Sequence, residues 1–203
     1  MAIYPWEFHP DLQAGRLQLI ATVLRDTRRG ALTRHDAAAG DTAWSLGCTV
    51  YARSTQMLMR AGEDLWAEWF KVIQEPLQFV FGIGEVPVRF YSGDAEDPDP
   101  KHMRLCKPEM IQLGLLQEDG ASELIWRIAV ETDMGSDVER IVLFGSTKDG
   151  VTRCFYEIPD DNVVALITPI APNRTPGNGV ELPPAAVKVR KNSLKKDDDK
   201  GTV

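Results

Sequence analysis

Apolar positions change their period along the chain, and the changes divide it into three parts. In the first, Leu12, Leu19, Ile20, Val23 and Leu24 share one face at helical spacing, with Arg25, Arg28 and Arg29 projecting from the other side. Pro10 and Asp11 read as first-turn residues, because proline costs little there and an acid favours the positive helix end. Gly30 reads as the stop. A second helix is predicted over 41–61, with Asp41 as its N-cap. Ser45, Thr49, Arg53, Gln56 and Arg60 form a narrow polar stripe on it. Trp44, Leu46, Val50, Tyr51 and Leu58 make most of the remaining circumference apolar, as in a helix central to a fold. Leu65, Trp66, Trp69, Phe70 and Ile73 continue at helical spacing toward Pro76, which ends the run. They predict a third helix, or the end of one long helix bent at Gly62.

In the second part the period falls to two. Segments 77–83 and 86–91 read as short strands. Pro87 removes a ladder donor and so predicts a sheet edge or a bulge. The run 92–100, SGDAEDPDP, is a turn-rich acidic loop, and 110–117 fits either a strand or a short helix. Leu124, Trp126, Ile128 and Val130 alternate with their neighbours as in a strand with one well-buried face. Strands at 139–146 and 151–158 follow, joined through Asp149–Gly150, a pair that favours positive φ in hairpin turns. Segment 162–167 reads as a further strand.

The third part does not hold a compact element. Pro169, Pro172, Pro176, Pro183 and Pro184 interrupt it, and RKNSLKKDDDKGTV lacks the apolar surface that offsets ordering entropy. The fold class expected is therefore α+β: two or three N-terminal helices packed on a C-terminal antiparallel meander, followed by a disordered tail. The single domain is placed at 1–172, with its helical part at 10–75 and its β part at 77–168, and the charged tail at 173–203.

Composition narrows the classes. The 203 residues carry 23 basic and 30 acidic groups, a formal net charge of −7. That excludes a uniformly basic nucleic-acid binder. The charge is uneven, with −1 over 1–75, −9 over 76–170 and +3 over 171–203. A local anion site thus remains compatible with the acidic total. No run of about 18 apolar residues occurs, so no membrane span is expected. The N-terminal MAIYPWEFHPDLQ lacks a basic leader followed by an apolar stretch, and with no cysteine framework the chain reads as cytoplasmic. Cys48, Cys106 and Cys154 each read as small apolar core residues.

No catalytic, metal or cofactor signature emerges. His102 and Cys106 have helical ligand spacing, but no further His or Cys lies near them to complete a zinc set. The acids of the 92–100 loop lack the glycine and terminal glutamate of a calcium loop. GIG at 82–84 lacks the third glycine of a dinucleotide fingerprint, and a strand rather than a helix follows, so these glycines predict a bend. No catalytic residue, metal or cofactor is therefore assigned.

Three functions stay open. The first is a non-catalytic accessory protein acting through a protein partner or self-association, with Trp66, Trp69 and Phe70 as the contact aromatics. The second is a small-ligand binder or enzyme with a cleft between helix 41–61 and the sheet, where Arg53 and Arg60 would anchor an anion. The third is a nucleic-acid contact through the arginine cluster Arg25, Arg28 and Arg29, with Arg34 beyond, since planar guanidinium groups hold phosphate in bidentate fashion.

Overall fold

A computed structural model of the chain describes residues 4–75, 78–107, 109–111, 124–134 and 136–160. The chain divides into two units, Met1–Asp161 and Asn162–Val203. All the elements below belong to the first. The strand expected at 162–167 and the tail expected at 173–203 lie outside the described residues, as does most of the ambiguous 110–117 segment.

The architecture is α+β. A single turn α1 (Pro5–Phe8) precedes two long helices, α2 (Ala14–Leu32) and α3 (Ala43–Asp64). Six strands follow: β1 (Phe70–Gln74), β2 (Val80–Ile83), β3 (Val86–Ser92), β4 (Ile125–Thr132), β5 (Val138–Ser146) and β6 (Thr152–Glu157). The short α4 (Pro100–Met103) lies between β3 and β4. The strands lie side by side in chain order, and every pair is antiparallel except β3 and β4. That one parallel join departs from the expected meander. It exists because the long connection after Ser92, the acidic loop included, gives the chain room to cross back before β4 begins.

The sheet is consequently covered on both faces. Val86, Val88, Phe90, Trp126, Ile128, Val130, Ile141 and Leu143 belong to one core cluster with Leu17, Ile20 and Leu24 of α2 and Leu58 of α3. On the other face Tyr91, Ala129, Val142 and Phe144 pack with Ala95 and Met103 of the crossover. The alternation read over 124–130 misses this second layer. Arg127, a polar position in that pattern, is only 1% exposed.

α2 begins later than expected. Asp11 stands outside it and accepts Arg16 Nη1 at 3.0 Å and the Glu85 main-chain N–H at 3.2 Å. Burial raises the Asp11 pKa, but these hydrogen bonds, with His9 nearby, hold it below the ordinary carboxylate value. Gly30 does not stop α2. Ala31 packs with Leu46 and Val50 of α3, and this contact carries the helix past the glycine. The N-cap of α3 is Thr42, one residue after Asp41, in a capping box with Ser45.

The expected third helix is absent. α3 ends at Asp64, a turn follows, and Phe70 already belongs to β1. Trp66 and Trp69 stack at 5.2 Å, Phe70 stacks on Phe81 at 5.0 Å, and Trp66 and Phe70 are buried. The i, i+3, i+4 spacing here serves a turn in which the Trp66 carbonyl receives both the Trp69 and Phe70 N–H groups. Pairing with β2 then fixes the strand. Gly62 makes no bend. A Cβ there would sit 2.5 Å from the Phe70 ring, so the glycine serves close helix–strand packing.

Gly84 makes the bend expected of it. It takes φ 58° at the first central position of the β2–β3 turn, and a Cβ would collide with the Asp11 carboxylate. Pro87 is not at an edge, because β3 lies between β2 and β4. The tight turn makes Ile83–Val86 the hydrogen-bonded pair, so the Pro87 nitrogen points away from β2. On that side the β4 register begins only at Val88, and no donor is missed.

Candidate functional site

Strand lengths create a concavity beside β3. β2 covers β3 only as far as the Phe81–Val88 pair, whereas β4 accompanies β3 through Ser92. The C-terminal half of β3 therefore has a strand neighbour on one side only, among the described residues. A cleft of about 490 Å³ lies along this open edge. Its volume is in the range of small-ligand sites.

Each wall comes from a different element. Gly47, Val50, Tyr51 and Ser54 of α3 form the helical wall. Phe90, Tyr91 and Ser92 form the floor, with Leu24 and Val130 behind them. Gln78 and Phe79 close one end, and the Phe79 N–H donates to Tyr51 Oη at 3.0 Å. Arg89, Lys101 and His102 make the remaining rim. No acidic side chain lines the cleft among the described residues, although acids outnumber bases in the whole chain.

Two features of the α3 wall carry a local cost. Ser54 is 1% exposed, yet its Oγ has no hydrogen-bond partner among the described residues. A buried hydroxyl without a partner costs about 1–3 kcal/mol. Gly47 sits inside a helix where a Cβ would meet nothing within 4 Å. The fold itself does not require a glycine there, and glycine costs a helix about 0.5–1 kcal/mol relative to alanine.

A buried ionic cluster on the far face of the sheet positions the rim. Arg127 Nη1 lies 2.6 Å from Glu109 Oε1, and Arg127 Nε donates to the His102 carbonyl at 2.8 Å. Glu109 is also 1% exposed, accepts the Cys106 N–H at 2.9 Å and lies 3.6 Å from Arg89. Arg89 in turn donates to the Arg104 carbonyl at 2.9 Å. These contacts tie the crossover to β3 and β4. His102 stacks on Tyr91 with ring centroids 4.3 Å apart. Burial, with Lys101 beside it, pushes the His102 pKa below the ordinary histidine value, so the imidazole is neutral at pH 7. Burial, with Asp94 and Glu131 nearby, pushes the Tyr91 hydroxyl up, and it donates to the Asp94 carbonyl at 2.8 Å. It is therefore a donor and not a base.

Comparison with protein-family models, with curated proteins and with solved structures finds no match.

The residues singled out from sequence lie elsewhere. Trp66, Trp69 and Phe70 pack in or against the main core. Arg25 and Arg28 are buried and tie α2 to the sheet. Arg25 Nη2 donates to the Ile158 carbonyl at 3.0 Å, and Arg28 Nε to the Ser136 carbonyl at 2.6 Å. Arg29 is half exposed, 3.9 Å from Asp137. Arg60 is exposed, and Arg53 Nη1 donates to the Gly30 carbonyl at 3.2 Å. The stripe of α3 does not line the large cleft. Its Ser45, Thr49 and Arg53 line a smaller cavity of about 170 Å³ with Arg34, His35 and Asp41. Cys106 and Cys154 are buried, whereas Cys48 is exposed on α3.

A cleft between helix 41–61 and the sheet is thus present, but on the apolar side of the helix. The signals that mark it are Gly47 and Ser54, two small residues breaking an otherwise large apolar face.

Proposed function

We propose that this chain is a binding protein whose cleft between α3 and the open edge of β3 takes an anionic ligand with an apolar body. The observation that carries the reading is the partnerless buried hydroxyl of Ser54 in the wall of a cleft that no acidic side chain lines among the described residues, Arg89 and Lys101 at its rim having Glu109 and Asp99 as their partners. Val50, Phe79, Phe90 and Val130 supply the apolar wall; Arg89, Lys101 and the His102 ring supply the polar end. Ser54 Oγ has no base within hydrogen-bond reach among the described residues, which supports binding over turnover. The contact through Trp66, Trp69 and Phe70 draws no support from their burial. The nucleic-acid reading draws little, because Arg25 and Arg28 already donate within the fold.

The test is titration with 8-anilinonaphthalene-1-sulfonate, an aromatic sulfonate whose fluorescence rises on entering an apolar site. Saturable binding is expected for the natural chain. Gly47→Met, which projects into the cleft from a position with open space, is expected to remove it. Equal fluorescence from both proteins would overturn the proposal.

A further inference from the structure

We propose that the corner where α2 passes into α3 binds a phosphate group, at a site apart from the cleft beside β3. Arg34, two residues past the end of α2, and Arg53, in the middle of α3, send Nη1 to the same acceptor. That acceptor is the Gly30 carbonyl, at 2.9 Å from Arg34 and 3.2 Å from Arg53. The Arg34 N–H goes to the Ala31 carbonyl instead, so Gly30 is one of the last-turn carbonyls that a side chain caps. One guanidinium is enough for that cap, yet two meet there. The shared oxygen keeps their Nη1 atoms no farther apart than two hydrogen bonds laid end to end. Like charges held this close repel, and a neutral carbonyl does not cancel either of them. Arg25 and Arg29 of α2 reach Asp160, whereas neither Arg34 nor Arg53 has an ion-pair partner among the described residues. Each guanidinium keeps further N–H groups to donate, the arrangement that an oxyanion bridges.

The two arginines border the cavity of about 170 Å³, whose other polar lining is His35, Asp41, Ser45 and Thr49. The volume lies below that of a drug-sized ligand site and suits a single small polar group. Asp41 is the one acid in this lining, and both its oxygens are engaged. Oδ2 accepts the Asp36 N–H at 2.9 Å, and Oδ1 accepts the Ser45 hydroxyl at 3.2 Å. His35 Nδ1 lies 3.8 Å from Oδ2, so the carboxylate has a neighbour of its own away from the arginines. Two guanidinium groups against one engaged carboxylate leave the cavity net positive. The half-buried Thr49 hydroxyl adds a neutral donor on the α3 side. The tetrahedral oxygens of phosphate can reach two guanidinium planes and a hydroxyl at once, and its second charge answers the second arginine. A planar carboxylate meets only one such plane. Ala31 packs with Leu46 and Val50 beneath the cavity, which fixes the spacing of the two helices before any ligand arrives.

The full 203-residue chain is titrated with inorganic phosphate at constant ionic strength, followed through its arginine side-chain NMR signals. Saturable shifts are expected, with a dissociation constant of about 1 mM, the affinity that two charge-assisted contacts supply. Arg34→Gln and Arg53→Gln should each weaken binding about tenfold. Arg60→Gln removes an exposed arginine of the same helix that does not line the cavity, and should leave binding unchanged. Arg34 is exposed, so its variant is expected to fold and decides the matter if Arg53→Gln disturbs α3. Phenyl phosphate is titrated in parallel. Tighter binding than inorganic phosphate assigns the site to a phosphate ester, and weaker binding assigns it to the free ion. Shifts that never saturate would overturn the proposal. So would an equal loss in Arg60→Gln and Arg34→Gln, which marks general attraction to a basic surface. Gly47→Met, which fills the other cleft, should leave phosphate binding intact; its loss there would place the anion beside β3 and overturn the separate site.

Discussion

At the scale of single residues, the chain places charge where its pattern predicts water or apolar packing. Arg127 alternates with Trp126 and Ile128 and would face solvent if the sheet had one covered face. It is instead sealed under the crossover with Glu109 as its ion-pair partner. Taking a carboxylate away from a buried guanidinium leaves an uncompensated charge. Glu109→Gln is therefore expected to lower unfolding free energy by about 3–5 kcal/mol in urea titration. Pairing it with Arg127→Met should recover much of that loss, because the double variant buries no lone charge. Equal stability of the single variant and the natural chain would show that Glu109 is dispensable there. The arginine cluster of α2 follows the same logic. Sequence identifies Arg25 and Arg28 as unusual, but the carbonyls they serve come from Ser136 and Ile158, more than a hundred residues away. No local pattern reveals such partners.

At the scale of elements, α3 shows what periodicity reveals and what it conceals. Its existence and its N-terminus to within one residue follow from spacing and capping. Its expected central position does not, because Trp44, Cys48 and Met57 lie exposed on it and only one face is buried. The third helix does not, because a turn that ends in a strand can place aromatics at i, i+3 and i+4 as a helix does. Only the pairing of Phe70 with Ile83 separates the two. Within α3 two glycines have opposite reasons. Gly62 admits the Phe70 ring, whereas Gly47 borders empty space. Gly62→Ala should lower the melting temperature, since ring and Cβ cannot share the site. Gly47→Ala should raise stability by about 0.5–1 kcal/mol through helix propensity alone. Thermal unfolding of the two variants checks both, and like-signed shifts would contradict this account. The cleft was legible only as a possibility. Helix wheels identify the faces of α3, but not which face the short β2 leaves uncovered.

At the scale of the whole molecule, the α+β class and the order of helices before strands follow from the change of period. The single parallel join does not, since strand direction depends on how a long connection travels. Among the described residues, no helix is long and apolar enough to cross a membrane. The sheet has a further property. β1, β2 and β3 follow one another after few intervening residues, and so do β4, β5 and β6. The parallel join is thus a seam between two locally assembled halves. Closing it requires ordering a loop of about thirty residues before any contact across it is gained. The seam should zip last during folding. Val88→Ala, at a fully buried position on that line, should accelerate unfolding in stopped-flow chevrons and leave the refolding limb nearly unchanged. A slowed refolding limb would mean that the seam is the nucleus instead. If the halves do assemble first, the β3 edge that later meets β4 is formed before the molecule is whole. A nascent chain emerging from synthesis would then carry an unpaired strand edge while its second half is still being made.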